Sequence, residues 1–258
     1  MKSFVFTVAL AAAASATPVQ PAKRATETVV PTSCFDSYES FESYFNYLYP
    51  WGSDHNGGAR MVGNSSDHDY ISINDPGTLT LTAHPVTGEP ATSSGVAINY
   101  LSGTVHAKDQ FTVEEGGGYD FNVELQATTT YGTWPAFWLT AVEGWPPEID
   151  LAEWKGSGKV SFNTFNTSSE VTAKDVDYPD SGNFHSFKAE LRDENGSDVS
   201  IKFYMDDTLI TEQVGAGFTG AAMWLIIDLQ MEGSSGTSGP DTDTTFSARN
   251  LEIISYNP

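Results

Sequence analysis

WPPEIDLAEW, residues 145–154, sets three carboxylates, Glu148, Asp150 and Glu153, among tryptophan, proline, isoleucine, leucine and alanine. Acidic side chains are rarely buried unless paired or used. The spacing alone is weak evidence, because the chain holds 34 Asp and Glu residues. Geometry says more. In a strand, Glu148 and Asp150 project from one face while Ile149 and Leu151 point into the core. Glu153 would point the wrong way unless one β-bulge, near Leu151-Ala152, returns it to the face of the other two acids. The stretch therefore predicts a bulged strand with three carboxylates on the concave side of a β-sandwich. Two glutamates leaning together there could reach the separation of about 5–5.5 Å that retaining glycoside hydrolysis needs. Crowded carboxylates have proton affinities pushed apart, which suits an acid working beside a nucleophile. A surface acidic ladder and a calcium site are the alternatives. The second is disfavoured because calcium ligands come mostly from loops rich in Asp, Asn and Gly.

Outward from this strand the chain repeats one theme. Short apolar or alternating runs lie between Gly, Asn, Asp, Ser and Pro clusters: YISI (70–73), TLTLTAH (78–84), GVAINYLSGTVHA (95–107), YDFNVELQAT (119–128), KVSFNTFN (159–166), SFKAELRD (186–193), VSIKFYMDD (199–207), MWLIIDLQM (223–231) and RNLEIISY (249–256). Their length and their β-branched and aromatic content argue for strands. Asn74-Asp75-Pro76-Gly77, Glu194-Asn195-Gly196 and Asp206-Asp207 read as turns. One poorly patterned helix candidate falls near residues 36–48. The expected fold is all-β, an antiparallel jelly-roll β-sandwich. TLTLTAH and SIKFYMD alternate and should have one wet face, whereas MWLIIDLQM should be a central strand buried on both faces.

Residues upstream sharpen the chemistry. GTWPAFWLT (132–140) ends eight residues before Glu148, and together with EIDLAE it resembles glycoside hydrolase family 16, the laminarinase-like retaining β-glycanases. Further matches are YLSGTVHAK (100–108), NFHSFKAEL (183–191) and FYMDDTLI (203–210). The family motif is Glu-x-Asp-x-x-Glu, or a version one residue shorter, on a bulged strand of a concanavalin-A-like jelly roll. The resemblance implies Glu148 as nucleophile, Glu153 as general acid/base, and Asp150 as the group supporting the nucleophile's charge and orientation. It places Trp138 and Trp145 where cleft tryptophans stack on sugar faces. Trp134, before Pro135, is a further substrate-binding candidate read chiefly as support for the strand. His185 is a candidate for touching the cleft, with a satisfied strand histidine as the alternative. Asn163 and Asn166 stand on a strand that often carries a cleft histidine in the family, and Asp228 and Glu232 replace an expected Asn and Gly. The block 47–64 matches no familiar pattern; its Trp51, His55 and Arg60 either line the cleft or pack a loop, and packing is the favoured reading. The acids alone complete the mechanism, so no catalytic metal or cofactor is expected. The resemblance leaves room for a structural calcium away from the cleft, with no ligands identified.

The start of the chain carries an address. Met1-Lys2, then FVFTVALAAAA, then Ser15-Ala16 before Thr17, read as a signal peptide over residues 1–16. Lys23-Arg24 offers a dibasic cleavage site, making 17–24 a short propeptide and 25–258 the catalytic domain. Cys34 is the one cysteine, so no internal disulfide can form. Asn64-Ser65-Ser66, Asn166-Thr167-Ser168 and Asn195-Gly196-Ser197 fit the N-glycosylation pattern. A formal charge of −22 repels nucleic acid and anionic membranes and disfavours polyanionic substrates. With 12% aromatic residues the chain can still bury a core, which excludes disorder. The expected function is a secreted, monomeric endo-β-glycanase, extracellular or cell-wall bound, acting on a neutral β-1,3- or β-1,3/1,4-linked glucan by double displacement. A β-1,3-galactanase, a wall transglycosylase and a non-catalytic lectin are the alternatives, since fold alone does not separate them.

Overall fold

The computed structural model describes Met1 and residues 26–258 other than Pro76; the expected signal peptide and propeptide lie outside the described residues, Met1 excepted. In chain order the strands are β1 (Glu27–Val30), β2 (Phe45–Tyr47), β3 (Ala59–Met61), β4 (Ile71–Asp75), β5 (Thr78–Pro85), β6 (Tyr100–Ser102), β7 (Thr104–Thr112), β8 (Gly118–Ala127) and β9 (Thr133–Ala141). They continue with β10 (Glu148–Trp154), β11 (Lys159–Thr167), β12 (Glu170–Asp177), β13 (His185–Asp193), β14 (Val199–Met205), β15 (Thr208–Gly215), β16 (Ala222–Met231) and β17 (Thr244–Ser255). The helix expected near 36–48 is the short α1 (Tyr38–Tyr44), capped by the Ser37 hydroxyl, which accepts from Ser40 N.

Two sheets face each other as a jelly-roll sandwich. One runs β12-β11-β10-β9-β16-β7-β2; the other runs β15-β14-β13-β8-β17-β5-β6-β3, with β1 on β17 and β4 on β5. β16 sits between β9 and β7 and is buried along nearly all its length, as its continuous apolar run predicts. β5 and β14 alternate between buried and part-exposed positions, so each has the expected wet face. The core between the sheets is aromatic-rich. Trp154 reaches from β10 to Phe187 and Phe246 on the opposite sheet, with ring centroids 5.5 and 5.7 Å away.

Two sequence expectations needed the third dimension. GVAINYLSGTVHA reads as one strand, yet β6 and β7 belong to different sheets and the chain crosses between them at Gly103. A side chain there would meet Tyr70 O, so only glycine allows the crossing. Conversely, EVTAKDVD forms β12, which no sequence pattern announced. It is an edge strand exposed along almost its whole length, so it lacks the hydrophobic alternation that marks a half-buried strand.

Candidate active site

β10 carries the bulge. Asp150 pairs with Trp138 on β9 while Ala152 pairs with Phe137, and on the other flank Asp150 pairs with Asn163 while Glu153 pairs with Ser161. Leu151 and Ala152 thus occupy the space of one residue, and both side chains are buried in the core with Ile149 and Trp154. The shift brings Glu148, Asp150 and Glu153 to one face, where all three line a cleft of about 610 Å³. β9 alternates in step: Trp134, Ala136, Trp138 and Thr140 line the cleft, while Phe137 and Leu139 fill the core.

The carboxylates are held by distinct partners. The exposed loop residue Trp145 donates its indole N–H to Glu148 Oε2 at 2.7 Å. Asn163 Nδ2 bridges Asp150 Oδ2 at 2.8 Å and Glu153 Oε2 at 2.9 Å. Glu153 also accepts from Trp134 Nε1 at 2.6 Å and from Lys155 Nζ at 2.5 Å. Burial pushes Glu148 up to about 7; the Trp145 hydrogen bond opposes that rise and the charge of Glu153 adds to it. Asp150 is fully enclosed and is pushed well above the ordinary carboxylate range, by burial first and then by Glu153 and Glu148. Both groups therefore hold a proton more tightly than a free carboxylate, Asp150 and Glu148 alike, rather than being pushed in opposite directions.

A fourth carboxylate, Asp228, lies in the cleft floor on β16. It accepts from Trp138 Nε1 at 3.0 Å and Tyr49 OH at 2.6 Å, and burial pushes it up to about 7. Glu232, the other departure from the family strand, is not in the cleft lining and accepts from Asn99. Asn166 likewise stands outside, accepting from Ala216 N.

The placement of several candidates differs from their sequence reading. Trp138 lines the floor but is only 6% exposed, its ring covered by His55 and Trp51 at 5.8 and 6.2 Å. The open ring beside it is Trp51, 47% exposed, and its placement corrects the reading of Trp51 and His55 as mere loop packing. The reason is local. Tyr49-Pro50-Trp51-Gly52 closes a tight turn through Gly52 N to Tyr49 O, with proline second and glycine last, and Tyr49 backs one face of Trp51 at 5.0 Å. That Tyr-Pro-Trp-Gly signature was the one signal the sequence offered. Gln230 pins the following segment by accepting from Ala59 N, and Gly57 and Gly58 leave no room there for a side chain. Burial lowers His55 to about 4, so it contributes a neutral ring. Arg60 does pack a loop, pairing with Asp54 and Glu89. Trp134 lines the cleft and grips Glu153, so it supports the site through an acid rather than only the strand. His185 is corrected: it lies on β13 in the other sheet, bonded to Asp206 at 2.7 Å and packed on Tyr178, away from the cleft. Its phenylalanine-flanked motif has no feature that tells which sheet receives it. Among the described residues, no group of three or more His, Cys, Asp or Glu is disposed to hold a metal ion.

Comparison with known proteins is consistent with this geometry. Residues 64–216 match Glycosyl hydrolases family 16. The chain is 48% identical over 258 residues to a galactan endo-β-1,3-galactanase of Flammulina velutipes, covering 98% of both chains. It is 28% identical over 173 residues to the endo-1,3-1,4-β-glycanase ExsH of Rhizobium meliloti, covering 65% of this chain and 35% of that protein. Among solved structures, an endo-1,3-β-glucanase from Streptomyces sioyaensis superposes with a TM-score of 0.66 at 18% identity, over 94% of this chain and all of the other. That likeness speaks for the fold.

Proposed function

The chain belongs to glycosyl hydrolases family 16 and is an endo-β-glycanase, and from that premise we propose that it is a secreted endo-β-1,3-galactanase acting by double displacement. The observation that carries the substrate is the 48% identity, end to end, with a protein named for that activity. It favours galactan over the glucan that the sequence reading preferred. Secretion is read from the basic start, apolar run and small residues of 1–16. Recovery of the protein in culture medium starting at Ala25 is expected; retention in the cell with Met1 intact would end that reading.

In the proposed reaction Glu148 attacks the anomeric carbon while Glu153 gives its proton to the departing glycosidic oxygen. The C–O bond to the leaving chain breaks as the ester to Glu148 forms. Water then attacks the same carbon, its proton passes to Glu153, and the ester bond breaks with its electron pair returning to Glu148. Burial and the neighbouring acids favour the protonated form of Asp150, the form that spares Glu148 a second neighbouring charge. Trp51 and Trp145 offer exposed rings at the cleft to the apolar faces of pyranose units. No step calls on a metal.

Reducing-sugar release from β-1,3-galactan, laminarin, lichenan and agarose tests the assignment. Galactan should be cleaved fastest, Glu148→Gln should lose several orders of magnitude while still binding it, and azide should restore turnover only to Glu148→Ala or Glu148→Gly. Preferential cleavage of laminarin would overturn the substrate. Near-normal turnover by Glu148→Gln would overturn the mechanism.

A further inference from the structure

Trp145 does more in this structure than present a ring. It stands in the six-residue connection between β9 and β10, three residues before Glu148, and its indole N–H points at Glu148 Oε2 from 2.7 Å. The connection is tied at both ends, by Ala141 N to Pro147 O and by Val142 N to Ala222 O. Pro146 and Pro147 restrict its backbone, so the indole enters the site with little freedom to lose. On its other side the ring meets Phe165 at 5.8 Å, and Phe165 is the β11 partner of Glu148 in register. Among the described residues Trp145 gives the hydrogen bond that Glu148 receives, and it goes to Oε2; Oε1 is left without a protein donor.

We propose that the Trp145 indole N–H is a positioning group of the reaction, one that fixes Oε2 of Glu148, leaves Oε1 to attack, and stabilises the carboxylate released when the glycosyl ester is hydrolysed. This rests on the reading of Glu148 as nucleophile. A carboxylate bonded to a donor is favoured over its protonated form. The charged groups that share the cleft with Glu148 are Asp150 and Glu153 on its own strand, Lys155 just beyond the strand's end and Asp228 on β16, with the uncharged Thr140 and Phe165 as its direct partners on β9 and β11. Trp145 is therefore the neutral donor that, together with the charge of Lys155, offsets burial and the charge of Glu153 at Glu148. A ring that only stacked on sugar would affect binding and leave the nucleophile's titration untouched.

Trp145→Phe separates the two roles, because it keeps an aromatic ring and removes the N–H. The expected result is a kcat lower by about ten- to a hundredfold, the loss of one hydrogen bond to a charged group, with KM changed little. The acidic limb of the kcat/KM profile should move to higher pH, because the anion has lost its donor. A raised KM with unchanged kcat and unchanged limb would overturn the proposal and leave Trp145 as a stacking ring. A second measurement needs no substrate. In the parent protein the indole 1H–15N signal of Trp145 should titrate with Glu148, near pH 7, and the titration should vanish in Glu148→Gln. A signal that does not titrate overturns the proposal whatever the enzyme cleaves. If the indole titrates but Glu148→Gln remains active, the nucleophile assignment has failed and the hydrogen bond is not a catalytic one.

Discussion

Asp228 shows how one atom's exchange changes a site. At a position where the family pattern suggests Asn, a carboxylate is buried between Tyr49 OH and the Trp138 indole and pushed up to about 7. Its cost to the fold depends on pH with a definite sign. The folded state binds this proton more tightly than the unfolded chain, where the group titrates near 3.8. Stability is therefore full below the unfolded value and is lost as pH rises from about 4 through about 7. Asp228→Asn removes the charge and keeps a polar group for Trp138, while the Tyr49 hydroxyl can turn to accept. Thermal melts should then show the variant equal to the parent near pH 4 and more stable at pH 8. A difference of the same size at both values would show that the charge is not what matters. Glu148, also raised, adds to the same slope in the parent.

At the scale of the element, the bulge in β10 decides whether three acids make a site. Deleting Ala152 would leave Glu-Ile-Asp-Leu-Glu-Trp, in which plain alternation keeps all three carboxylates on one face and Leu151 and Trp154 in the core. Deleting Ile149 would instead turn Glu148 into the core. The Ala152 deletion should fold and retain measurable glycanase activity, and the Ile149 deletion should have none. Circular dichroism and reducing-sugar assays on both would decide; a folded Ala152 deletion as dead as the Ile149 deletion would mean that the bulge sets more than the facing of Glu153. The neighbouring turn 49–52 works on the same scale, holding Trp51 out over Trp138 by one hydrogen-bonded loop.

For the whole molecule, the sandwich stands without an internal disulfide, since Cys34 is the one cysteine, so cohesion falls to the core. Trp154 is the bolt through it, fully buried and in edge-on contact with Tyr178, Phe187 and Phe246. Trp154→Ala should cost about 3–5 kcal/mol, a drop in Tm on the order of 10 °C for a chain this size. Trp154→Phe should cost clearly less, since it removes an N–H that has no partner among the described residues. Denaturation showing less than about 1 kcal/mol for the alanine variant would mean that the sheets are held elsewhere.

The residues alone determined the strand class, the central place of β16, and the three acids with the bulge that groups them, because these rest on side-chain periodicity and on one motif. They also determined that Glu148 and Asp150 would differ from free carboxylates. Local sequence did not say that β6 and β7 part at Gly103, that the exposed β12 is a strand, or that His185 goes to the far sheet. Nor did it say that Trp51, about a hundred residues from Glu148, would supply an open ring in its cleft, or that the Trp145 N–H would reach the acid. Which sheet receives a segment, and which loop meets which, depends on contacts distant in the chain. Those contacts are set by the packing of two faces against one core, and they leave no periodic trace in either partner.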